Sequence, residues 1–230
     1  MLGKMDDPAG RTVSRTLAIR LEVVAVLSLI APSIARGLLT TTRSQRLALY
    51  DWRENLISTL TLAGFALIVL FVIWSSGDGL DEFGIRKWRW NIDPAYFLVA
   101  LGSVFAIHSA YQYLSSGNIR LLGGYPATYY GLSKTYAVGI PHYLLVGVRE
   151  ETVFRGYLIT RFSELLPEKR VFPIVAAAVL FGLVHIGYGL AFSITVSLEA
   201  LLLGMMFRQT KTILPLALAH AVFDYLIVYS

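Results

Sequence analysis

The chain has 230 residues, 56% of them hydrophobic and 15% charged, with a mean hydropathy of +0.61. A soluble domain carries about 25% charged residues, so this sequence lacks the polar surface to cover a globule. It has no cysteine, which excludes disulfides, thiol catalysis and cysteine-ligated zinc. The net charge of +5 fits basic cytoplasmic loops of a membrane protein better than it fits nucleic-acid binding.

A spanning helix needs about 20 mostly apolar residues. Seven stretches qualify in chain order: 23–39, 56–74, 95–114, 140–157, 171–190, 191–207 and 213–229. The first contains Pro32 and ends at Arg36; it reads as a spanning helix, with a signal-peptide core as the alternative. The second, Leu56 to Trp74, holds no charge at all. Residues 76–94 mix Gly, Asp and Glu with Arg-Lys-Trp-Arg-Trp and read as an interfacial loop anchored by tryptophans. Residues 115–135, rich in Gly, Ser and Tyr, read as a second interfacial stretch. The expected fold is therefore all-α, a polytopic transmembrane bundle of about seven spans, within a range of six to eight. It divides into a cytoplasmic tail (1–20), accessory helices (21–134) and a helical core (135–230). With seven spans and the N-terminus inside, twelve Lys and Arg residues fall on the cytoplasmic side and six on the other, which favours a cytoplasmic N-terminus.

A charge at the bilayer centre costs at least about 2.5–3.5 kcal/mol, so each ionisable residue in these segments is a functional candidate. The fourth segment carries Arg149, Glu150, Glu151 and Arg155; the fifth carries Phe181 and His185; the sixth, Glu199; the seventh, His220 and Asp224. Glu151 and Arg155 are four apart and can pair along one helix face, whereas Glu150 lies about 100° round and is free to face a cavity. His220 and Asp224 also share a face, so Asp224 can fix the imidazole tautomer or join it on a metal. At about 1.5 Å per residue, Glu150, His185, His220 and Asp224 lie about 14–22 Å from the nearest basic end of their segments. Adjacent antiparallel helices would bring all four to one layer. His108 and His142 read as interhelical contacts, Glu199 as an interhelical contact or an interfacial carboxylate, and Phe181 as packing.

Three protease signatures are missing: the His-Glu-x-x-His zinc helix, the Gly-x-Ser-Gly serine turn and the Gly-x-Gly-Asp aspartyl motif. What is present is Glu-Glu-Thr-Val-Phe-Arg (150–155), Phe181…His185 and His220…Asp224. In order and spacing these resemble the three motifs of the CPBP family, the CAAX protease and bacteriocin-processing intramembrane peptidases. The last position departs from that pattern, with Asp224 where the family has Asn. The resemblance covers roughly residues 135–228 and implies hydrolysis of peptide bonds in membrane-associated or prenylated protein substrates, at a lipid membrane and in a multi-pass protein of a prokaryotic cell membrane.

Carried across, the resemblance makes Glu150, His185, His220 and Asp224 catalytic, with Glu151, Arg155 and Phe181 in support. Glu150 would activate water together with His185. His220 and Asp224 would stabilise the oxyanion, or else His185, His220 and Asp224 would hold zinc or another divalent metal, as in a metalloprotease. Ionised aspartate only accepts hydrogen bonds, unlike an asparagine amide, so the exchange at position 224 bears directly on that choice. The competing functions are a transporter or proton relay and a non-catalytic, immunity-type membrane binder.

Overall fold

The computed structural model describes residues 15–39, 52–116 and 136–229. Those residues form an all-α bundle: α1 (Arg15–Leu39), α2 (Trp52–Ser75), α3 (Asp93–Ser116), α4 (Tyr136–Glu150), a π-helical segment (Glu151–Ile159), α5 (Thr160–Leu165), α6 (Phe172–Val184), a 3-10 turn (Ile186–Tyr188), α7 (Leu190–Thr210) and α8 (Leu214–Tyr229). At least three helices, Arg15–Leu39, Asp93–Leu114 and Leu190–Thr210, are long and apolar enough to cross a membrane. Large apolar side chains point outward on several of them, such as Leu67 at 65%, Leu98 at 63% and Ile194 at 52% exposure. In water such a surface would be an aggregation liability; against acyl chains it costs nothing. The protein is an integral, multi-pass membrane protein.

Six of the seven apolar stretches each fall on one helical rod, though the rods end elsewhere, and the fifth, 171–190, holds α6 and the 3-10 turn and reaches the first residue of α7. α1 extends N-terminal of the apolar stretch, where its charges find partners: Arg15 reaches Asp78 at 2.8 Å, and Glu22 meets Arg161 at 2.9 Å. The fourth rod runs on through the π segment to Leu165. There Arg161, which reads as a loop cation, is 1% exposed, paired with Glu22, Asp78 and Glu164 and stacked on Phe83 at 4.9 Å. α6 stops short at Val184, and Gly189, at φ +106°, turns the chain into α7, a conformation open to glycine but strained for other residues. The 76–92 stretch folds as turns, with Trp90 exposed and Phe83 buried. Residues 117–135, most of the second interfacial stretch, lie outside the described residues.

The Asp78 cluster gives a stability test. Burial pushes Asp78 upward, but hydrogen bonds from Arg161 and Arg15 outweigh it and hold its carboxyl below the ordinary aspartate value. A depressed carboxylate stabilises the fold above its unfolded pKa, about 3.9, and loses that contribution as pH falls through the folded value. In detergent, the wild type should melt above Asp78→Asn at pH 7, and the gap should close on acidification below about pH 4.

Helix packing follows a ring in which α1 touches α6 and α2, α2 touches α4, α4 touches α8, α8 touches α3, and α3 and α6 both touch α7. The π segment sits inside, in contact with α2, α4, α6 and α7, and all nine of its residues are buried. α4 and α8 approach closely at Gly147, where a Cβ would lie 2.4 Å from the Ala217 carbonyl oxygen. Backbone cannot yield cheaply, so Gly147→Ala should cost about 1–3 kcal/mol and displace the helix that carries His220. Thermal unfolding and cleavage rate should fall together.

Candidate active site

π-Helical turns inside α-helices concentrate at functional sites, and here the switch from α to π geometry falls between Glu150 and Glu151. The two adjacent glutamates consequently serve different neighbours. Glu151 is fully buried and pairs with Arg155 at 3.1 Å, as their spacing predicts. Its Oε1 also lies 3.0 Å from His220 Nδ1. Because a carboxylate accepts, Nδ1 carries the proton and donates to Glu151. The group that sets the tautomer of His220 is thus Glu151, on a different helix, and not Asp224. Asp224 Oδ2 instead lies 3.5 Å from His220 Nε2, on the other edge of the ring, and Glu150 Oε2 lies 3.7 Å from the same nitrogen.

His185 caps α6 at φ −96°, ψ 6°. Its Nδ1 lies 2.8 Å from the Phe181 carbonyl oxygen, which can only accept, so this imidazole too is protonated at Nδ1. Nε2 is left with a lone pair, the form a general base needs. The Phe181 ring is more than packing. Its centroid is 4.7 Å from the His185 ring, 6.0 Å from the His220 ring and 4.7 Å from the Arg155 guanidinium carbon. One aromatic ring therefore contacts both imidazoles and stabilises the buried cation.

Glu150, His185, His220 and Asp224 line a single cavity of about 210 Å³, room for several waters at about 30 Å³ each. Arg155, Phe181 and Arg149 line it too. Arg149 pairs with Glu150, and its guanidinium lies 5.7 Å from the Phe65 ring of α2. Helical spacing gives Arg149 no partner; the expense of a charge at that depth is its one signal in the sequence. His108 and Glu199, read as interhelical contacts, meet between α3 and α7 and also line the cavity. His142 bonds Thr59 at 3.0 Å, joining α4 to α2 away from the cavity lining.

Among the described residues, no group of three or more His, Asp or Glu side chains converges to hold a metal ion. Both imidazoles are held through Nδ1, which leaves each Nε2 as the atom able to act as a base or to meet a metal.

Residues 132–226 match the family of type II CAAX prenyl endopeptidase Rce1-like proteins. The chain carries a CAAX-protease family domain. No curated protein and no solved structure gives a match. The match includes every residue of the three motifs and leaves out α1, α2 and α3. Buried Glu and His residues in this CAAX-protease domain are consistent with an intramembrane peptidase family. One wall of its cavity, Val104 and His108, comes from α3, outside the matched segment.

Proposed function

We propose that the protein is an intramembrane endopeptidase that hydrolyses peptide bonds of membrane-associated or lipidated protein substrates by a glutamate mechanism. The observation that carries this reading is that two histidines, each with Nδ1 committed to an acceptor, share one cavity with Glu150. Glu150, with His185 Nε2, takes a proton from water as its oxygen bonds to the scissile carbonyl carbon. In its doubly protonated form His220 donates Nε2–H to the developing oxyanion, and Asp224 balances that charge. Collapse of the tetrahedral intermediate breaks the C–N bond, and the proton held by Glu150 and His185 passes to the leaving amine. Asp224 orients His220 from the Nε2 edge here, the role left to an ionised carboxylate that cannot donate. The remaining rods would complete a seven-span bundle with a cytoplasmic N-terminus, with α1–α3 as accessory helices around the 135–230 core. Comparative membrane proteomics of cells carrying the wild type or Glu150→Gln tests the reading. Precursors should accumulate uncleaved in the variant, and identical peptide termini in the two would exclude it.

A further inference from the structure

The cavity contains a polar pair that the proposed hydrolysis does not use. Glu199 on α7 and His108 on α3 approach to 4.0 Å, Oε1 to Nδ1, too far for a hydrogen bond. The Glu199 side chain is 8% exposed, and its Oε1 makes no hydrogen bond among the described residues. Around it the lining is apolar, with Val104, Val196, Leu203 and Phe223. A buried polar atom left without a partner costs about 1–3 kcal/mol and calls for an explanation.

Charge matching sets Glu199 apart from the other acids of the site. Glu150 pairs with Arg149 and Glu151 with Arg155, while Asp224 lies 3.5 Å from His220 Nε2. Among the described residues, Glu199 has no basic nitrogen closer than that of His108 at 4.0 Å. We propose that Glu199 is a specificity-determining residue: it receives the basic side chain, lysine or arginine, of a substrate residue flanking the scissile bond. The proposal rests on the peptidase reading for its substrate class. In a desolvated cavity an ammonium or guanidinium donates a charge-assisted bond to the carboxylate. An aliphatic residue of the same length would leave Glu199 buried and unpaired, and rejection by an unsatisfied polar group is the strong kind of discrimination.

The test uses full-length protein in detergent, with Glu150→Gln as the background so that bound peptide survives. Probes are apolar octapeptides with a single lysine scanned through the sequence, and matching peptides with norleucine or glutamine in its place. At the productive position, lysine should bind at least about tenfold more tightly than norleucine or glutamine. Adding Glu199→Gln should erase that preference without lowering the melting temperature, since glutamine keeps the size and shape of the side chain. Equal binding of lysine and norleucine peptides overturns the proposal, as does glutamine matching lysine, a lysine preference that survives Glu199→Gln, or no binding of any lysine peptide. Cleavage is scored separately with the wild type. Failure to cleave a peptide that binds through Glu199 counts against the peptidase reading alone.

Discussion

Glu150→Gln is expected to lower the rate of substrate cleavage by about 10²–10⁴-fold, the range in which a positioned general base contributes. Glutamine keeps the size of the side chain and one acceptor oxygen but cannot take the proton from water. The fold should survive, because Arg149, the partner that loses its counter-charge, is 18% exposed and can reorient toward solvent or headgroups. The loss should appear in kcat with KM little changed, the mark of an interaction made in the transition state and not in the ground state. Single-turnover cleavage in liposomes, with circular dichroism to check helicity, measures both. Cleavage within about tenfold of wild type would leave Glu150 without a catalytic role.

Glu151→Ala should fail differently. Arg155 is 2% exposed, and removing its partner leaves a buried guanidinium uncompensated, at a cost of about 3–5 kcal/mol. The same substitution frees His220 Nδ1. Two effects are thus superimposed, and the double variant Glu151→Met with Arg155→Met separates them. Replacing both members of a buried pair by apolar residues is often neutral, so thermal stability should largely return. Activity should not, because no acceptor remains to fix the His220 tautomer. Return of cleavage in the double variant would reduce Glu151 to a structural partner of Arg155.

The helical rods were legible because lipid imposes a crude rule: a rod that crosses must be apolar over its length. That rule is silent about charges that find partners, which is why Arg15, Glu22 and Arg161 lie within helices where hydropathy alone ends them. Motif spacing identified Glu150, His185, His220 and Asp224, and the structure brings these four to one cavity. It could not identify the Glu151–His220 bond, because periodicity relates residues on one helix and says nothing of which helices become neighbours. The π segment escaped for a related reason. Its nine residues are buried on every side, so no amphipathic stripe was there to reveal a change of period. Arg149 and Glu199 were visible as costly charges, but their common cavity depended on α3, α4 and α7 closing around it.

That closure has a consequence for how the family segment can be handled. Val104 and His108 supply one wall of the cavity from α3. Cut back to the matched stretch, the protein would lose that wall and open the cavity's ionisable groups toward the bilayer. Phospholipid tails, present at enormous local concentration, would then compete with any peptide for the apolar surface. The limit of the recognisable family signature and the limit of the closed cavity are therefore different places on this chain.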